Sequence, residues 1–282
     1  VDNAFDECLA GHASRVEVEL FEDGSVSVQD NGRGIPVDIH KGENRPAVEV
    51  IFTVLHSGGK FDKDAEDSLY QFSGGLHGVG VSVTNALSKR LEVTVWKNGR
   101  EYRIAFEAGD VVEPLSWKKL PEDQRGRSGS RIQAWPDPQY FTNGHLKISE
   151  FERFLRSKAV LLKGAEVVWR RPGKEEQIWH FPGGLTQYLE EEVSFSEGVE
   201  GWVAPRFTVS LAYEEARDGF RKGEGFDLAL GFSYEGNTVR ESYANLIPTP
   251  QGGRHEAGLR AGLFEAVSAV AERMKLIPSS VK

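Results

Sequence analysis

The residues of this chain best suited to chemistry are the run Gly74-Gly75-Leu76-His77-Gly78-Val79-Gly80. Four glycines in seven positions give a backbone that can curl closely round an anion, because glycine reaches positive φ without steric penalty. The stretch Val81-Ser82-Val83-Thr84-Asn85-Ala86-Leu87 that follows predicts a helix, whose free N–H groups and dipole favour negative charge. A glycine loop opening onto a helix start is a phosphate-binding arrangement. A plain glycine-rich surface turn would use the same residues. The spacing is not that of a P-loop, since no Gly-Lys-Ser/Thr follows, nor of a dinucleotide fingerprint, since no strand leads directly into it.

Asp30 is the second candidate. It lies in register with Val26 and Val28, so it points to the apolar face of its strand, where a carboxylate must find a donor or change its protonation. Asn31-Gly32-Arg33-Gly34-Ile35-Pro36 then turns the chain sharply. Asp30 can be an ordinary turn-capping residue or a pocket carboxylate that accepts from a nucleobase amino group. Asn3, on a helix face shared with Asp6 and Glu7, can offer a carbonyl oxygen to Mg2+ or simply face water.

These residues need elements to position them. The pattern predicts a helix over 2–11 with Phe5, Cys8 and Leu9 on one face, then a hairpin of Arg15–Phe21 and Ser25–Asp30. Val48–Leu55 and about Val79–Leu87 read as helices, with a glycine-containing, then charged lid over Ser57–Leu69 between them. Leu91–Trp96 and Arg100–Phe106 form a hairpin on an Asn98-Gly99 type I′ turn. Residues 107–127 read as a polar loop and Ser130–Trp135 as a strand. Ser149-Glu150-Phe151-Glu152 is a capping box opening a helix to Gly164, and strands follow at 166–171 and 176–181. This order predicts an α+β sandwich with helices on one face of a mostly antiparallel sheet, occupying 1–181. A second unit, 182–282, starts at Pro182-Gly183-Gly184. It holds a helix at 184–193, strands at 207–213, 226–234 and 238–245, a disordered loop Glu214–Gly225 and a long helix at 255–275.

Composition bounds the rest. The chain has 282 residues, 39% hydrophobic and 27% charged, enough for two ordinary globular domains. No apolar run approaches membrane-spanning length. The single cysteine, Cys8, excludes an internal disulfide, fits a reducing cytoplasm and reads as a small buried hydrophobe. A net charge of −9 argues against a main DNA-gripping surface here, though another chain of a complex could supply one.

In order, Asp2-Asn3-Ala4-Phe5-Asp6-Glu7, Asp30-Asn31-Gly32-Arg33-Gly34-Ile35-Pro36, the glycine run and Ser128-Gly129-Ser130 resemble the four ATP-site motifs of the GHKL superfamily. Leu55-His56-Ser57-Gly58-Gly59-Lys60-Phe61 and Phe72–Gly80 resemble its bacterial gyrase and topoisomerase IV branch. Glu241–Thr249 and Gln251-Gly252-Gly253-Arg254-His255 carry the likeness into the second unit, closer to the topoisomerase IV side. The resemblance covers essentially the whole chain. It implies a GHKL (Bergerat) ATP-binding fold followed by part of a ribosomal-S5-like transducer domain.

It further implies ATP and Mg2+ as cofactors, with Asn3 holding the metal. Asp30 would accept from the adenine amino group, supported through water by Ser130. Gly75, Leu76, His77, Gly78, Val79, Gly80 and Val81 would wrap the phosphates, Tyr70 would line the adenine or ribose side, and Lys60 would approach the terminal phosphate. Gly34 and Ile35 join the ATP pocket; Glu7 paired with Arg33, together with Pro36 and Val48, would form a wall open to small-molecule ATP-site inhibitors. The family's general-base Glu would precede Val1 and its switch lysine would follow Lys282, so no catalytic residue is expected within the chain. The implied partners are a second copy on ATP binding, the breakage-reunion partner of topoisomerase IV in a heterotetramer, and duplex DNA, with no membrane.

Overall fold

A computed structural model describes residues 1–55, 79–141, 146–194, 206–217, 219–232 and 240–276. The backbone forms two compact units, Val1–Gly236 and Asn237–Lys282. The first is built on an eight-stranded sheet of β1 (Arg15–Leu20), β2 (Val26–Asp30), β3 (Ser88–Lys97), β4 (Arg100–Glu107), β5 (Asp110–Lys119), β6 (Gly129–Pro136), β7 (Glu166–Arg170) and β8 (Gln177–His180). The spatial order is β5-β4-β3-β6-β2-β1-β7-β8, and only β1 and β7 run parallel. Its helices are α1 (Asp2–Leu9), α2 (Ala47–Thr53), α3 (Gly80–Ala86), α4 (Ile148–Leu161) and α5 (Leu185–Ser194).

Strand alternation explains the layering. Leu91, Val93, Val95, Ile104 and Phe106 project to one face, where Val48 and Phe52 of α2 and the neighbouring Val81 of α3 cover them. On the same face Trp169 of β7, opposite Val18, meets Phe151 of α4 with ring centroids 5.3 Å apart. The other face is polar: Glu17 accepts from Arg15 and Arg170, and Glu101 from Arg103, Lys118 and the Trp96 indole. The expected α+β sandwich with helices on one face is what forms.

Several expectations are corrected. The polar loop assigned to 107–127 contains β5, entered through a turn at Ala108 and Gly109, both at positive φ. β5 is an edge strand, so Pro114 costs it no ladder bond it needs, and the register slips beside that proline, between Arg103 and Ala105 of β4. The capping box does not form: Lys147 is the N-cap and makes no side-chain cap bond, while the Glu152 carboxylate is taken by the Trp169 indole and Arg171. The polar side of α1 is not a solvated face either, because Asp6 is buried and Asn3 and Glu7 are half-buried, whereas Leu9 is exposed.

Beyond β8, α5 packs on a hairpin of β9 (Arg206–Ala212) and β10 (Gly225–Gly231). The loop expected to be disordered is ordered where described: Tyr213 and Phe220 stack at 4.8 Å, and the Tyr213 N–H donates to the Glu224 carbonyl at 2.9 Å. In the second unit a strand over 238–245 gives way, among the described residues, to two short strands, β11 (Tyr243–Ala244) and β12 (Ile247–Pro248). Asn245 and Leu246 between them take positive φ and reverse the chain. The long helix α6 spans Arg254–Arg273.

Candidate functional site

The best-defined constellation lies where β2 ends against β6. Asp30 is 4% exposed, and its Oδ1 accepts the Gly32 N–H at 2.8 Å, closing a tight turn. A carboxylate carries about four lone-pair sites, so one turn bond does not use up the group. Asp30 therefore caps the turn, one of the two roles expected for it, with its side chain facing inward. One turn further on, the Ile35 N–H donates to Ser130 Oγ at 2.9 Å. This direct bond across the sheet pins the loop to β6. Ser130 is itself 1% exposed, beside Val95 of β3.

Three glycines let these backbones meet. Gly34 stands at φ +77, with its missing Cβ 3.0 Å from Val95 Cγ1 and 3.1 Å from the Gly129 carbonyl. Gly129 stands at φ +125, where an added methyl would sit 2.1 Å from the Asp30 carbonyl oxygen. At Gly32 a methyl would meet both Asp30 Oδ1 and Glu7 Oε2 at 3.0 Å, so the two carboxylates close over this residue. A side chain there would force both carboxylates to shift by a few tenths of an ångström.

Glu7 comes from α1 and is paired as expected. Arg33 Nη2 and Nε donate to its two carboxylate oxygens at 2.8 and 3.0 Å, and the Arg33 N–H adds a bond at 3.3 Å. The bidentate pair offsets one of the carboxylates crowded here. Cys8 lies just behind. Burial, then the charges of Asp30 and Glu7, push its thiol up to about 12, so it stays neutral and inert.

Thus Glu7, Asp30, Arg33, Gly34, Ile35 and Ser130 are brought together. Val48 is fully buried in the same apolar cluster as Ile35, with Val81 packed against it. Pro36 is exposed on the loop, and Asn3 is half-buried in the first turn of α1. Val79 and Gly80 are the N-cap and first residue of α3. Lys60, Tyr70, Gly75, Leu76, His77 and Gly78, with most of the glycine run, lie outside the described residues.

Sequence reasoning missed three contributors. Gly129 lies inside the Ser128-Gly129-Ser130 motif, but its own role needed the third dimension. Asn31 accepts the Ser14 and Arg15 N–H groups at 2.9 and 3.0 Å, tying the loop to the start of β1. Asn85 donates to the Phe52 carbonyl at 3.0 Å and the Gly109 carbonyl at 3.1 Å, fastening α3 to α2 and to the β4–β5 turn. Neither asparagine carried a signal for these bonds, since their partners are distant backbone carbonyls and amides.

Comparison with known proteins points to one family. A family model described as histidine kinase-, DNA gyrase B-, and HSP90-like ATPase matches residues 1–138, and one described as DNA gyrase B matches residues 184–282. The B subunit of DNA topoisomerase 4 from Salmonella typhimurium is 43% identical over 284 residues, covering 100% of this chain and 42% of that protein. The B subunit of DNA gyrase from Thermus thermophilus is 40% identical over 280 residues, covering 98% of this chain and 41% of that protein. The chain thus spans about two fifths of the length of these curated relatives. Among solved structures, the 43K ATPase domain of Thermus thermophilus gyrase B, in complex with an aminocoumarin, superposes with a TM-score of 0.74 at 33% identity, over 99% of this chain and 67% of that one. The topoisomerase IV ATP-binding domain of Francisella tularensis, in complex with a small-molecule inhibitor, gives 0.71 at 35% identity, over 96% and 67%.

Proposed function

Since this chain belongs to the histidine kinase-, DNA gyrase B- and HSP90-like ATPase family, in the branch that holds the B subunits of gyrase and topoisomerase IV, we propose that it is the ATP-binding region of a type IIA DNA topoisomerase. The observation that carries this reading is the buried Asp30 carboxylate in a turn pinned by Ser130 and admitted by Gly34 and Gly129. Such a carboxylate can accept from a nucleobase amino group and would discriminate against a base that lacks that donor. Residues 1–181 form the nucleotide-binding part and 182–282 part of the transducer.

Magnesium fits the residues present. Asn3, half-buried in the first turn of α1, offers the kind of hard oxygen donor that this ion takes from protein before phosphates and water complete its shell. Asn3 is the residue that would hold it. There the ion would neutralise charge on the triphosphate. The resemblance assigns Lys60 to the terminal phosphate, Tyr70 to the base or ribose, and Gly75–Val81 to the phosphates. Glu7, Arg33, Pro36 and Val48 form the wall where ATP-site inhibitors lodge; of the two solved relatives, one is a complex with an aminocoumarin and the other with a small-molecule inhibitor.

In the intact protein, ATP closes two copies into a gate for duplex passage, working with the breakage-reunion partner in a cytoplasmic heterotetramer. Topoisomerase IV, with decatenation and relaxation as its outcome, is favoured over gyrase by the Glu241–Thr249 and Gln251–His255 motifs.

Calorimetry with a non-hydrolysable ATP analogue tests the site. Asp30→Asn is expected to weaken binding by about ten- to a hundredfold, the equivalent of ~1–3 kcal/mol, while the fold survives. An unaltered affinity in Asp30→Asn, or no binding by the parent chain, sinks the assignment.

A further inference from the structure

Lys158 is the anomaly of the first unit. It sits in the last turn of α4, on the side that also buries Leu155, and its side chain is only 2% exposed. Lysines are almost never so buried unless paired, since the ammonium loses its hydration. Here Nζ lies 3.1 Å from Oδ1 of Asp2. It also lies 4.9 Å from the Phe154 ring centroid and 5.9 Å from that of Phe5, within cation–π range of both. Packing alone would be met by an apolar side chain of the same length, without the desolvation cost.

The location of these contacts explains the charge. Asp2 and Phe5 both belong to α1, one on each side of Asn3 in sequence, and Phe5 is fully buried. Lys158 therefore grips α1 at two points across its first turn. Resting on the nucleotide-site reading above, we propose that Lys158 is a positioning residue for the metal end of the site. It sets the pose of the first turn of α1, so that the Asn3 carboxamide meets a nucleotide-bound divalent cation. Magnesium demands near-ideal geometry, and a displaced ligand is penalised more than for a flexible-shelled ion. Partners that orient a ligand matter nearly as much as the ligand.

The experiment is calorimetry with a non-hydrolysable ATP analogue, with and without Mg2+, on the parent chain, Lys158→Met, Lys158→Arg and Asp2→Ala. Thermal midpoints are recorded in parallel. The parent binds more tightly with Mg2+. Lys158→Met is expected to lose about tenfold of that Mg2+-dependent gain, by analogy with other residues that orient metal ligands. Its metal-free affinity should stay within about twofold of the parent, because Asp30 holds the base independently. Lys158→Arg restores most of the gain, since it keeps a cation facing Asp2 and the two rings. Asp2→Ala reproduces the loss while leaving the core intact, and it alone decides if Lys158→Met does not fold. A full Mg2+ gain in Lys158→Met and in Asp2→Ala overturns the proposal. So does an equal loss of metal-free and metal-bound affinity, which would mark Lys158 as structural only. A parent chain that binds no analogue overturns the nucleotide-site reading itself and this assignment with it.

Discussion

In α2, only seven residues long, Val48, Val50 and Phe52 are all but sealed from solvent. In α6, twenty residues long, no residue is buried, and Phe264, Val267 and Val270 are each more than half exposed. The two helices do not differ in having apolar side chains. They differ in what faces them: α2 lies across the inner face of β3 and β4, where Phe52 and Phe106 stack with centroids 5.5 Å apart. A helix of the length of α2 is marginal by itself, so it exists because packing on the sheet offsets the ordering entropy; α6 is long and alanine-rich enough to hold by propensity. The site accordingly sits where packing over-determines the backbone.

The sharpest way to break that contrast is Gly129→Ala. A methyl 2.1 Å from the Asp30 carbonyl, at φ +125, should cost on the order of 3 kcal/mol or more and abolish analogue binding. Denaturant midpoints and calorimetry read both, and a tolerated alanine would mean that the β2–β6 end is not rigid.

Acid should act next. Burial works to raise Glu101, but its bonds from Lys118, the Trp96 indole and Arg103 win and hold it below the ordinary glutamate value of 4.5. Glu17, where burial likewise opposes the bonds from Arg170 and Arg15, is also held down. Both carboxylates therefore stabilise the sheet above pH 4.5, and that contribution drains away as pH falls through their lower folded values. Five of the six tryptophans, Trp96, Trp117, Trp135, Trp169 and Trp179, lie on strands of the sheet, so indole fluorescence mainly follows it. Glu101→Gln should flatten the acid limb of that titration; an unchanged limb removes Glu101 from the account.

Phe264→Ser should do least. At 75% exposure it is expected to move stability by no more than about 0.5 kcal/mol. A shift several times larger would show that α6 is packed as firmly as α2.

Much of this was legible in advance for local reasons. Alternation placed Asp30 inward, and Asn98-Gly99 announced its hairpin, with both residues at positive φ. The Arg33–Glu7 pair followed from the motifs that carry the resemblance. What stayed hidden depended on distant partners. β5 looked like loop because Pro114 and its charges are tolerated only at a sheet edge. Ser149 looked like a cap because nothing in sequence shows that Trp169 and Arg171 claim Glu152. The burial of Lys158 needs α1 placed against α4, which no local pattern announces.

The strand order also bears on how the molecule is made. β2 has no neighbour on its inner side until β6 arrives, and the bond from Ile35 to Ser130 spans 95 residues of chain. During synthesis the Asp30 turn must therefore wait, half-built, while that long excursion emerges and folds back. Such long-range closure is slow and leaves an unpaired strand edge exposed meanwhile. A ligand for this pocket consequently finds nothing to hold on a nascent chain shorter than β6, and everything once that strand is in place.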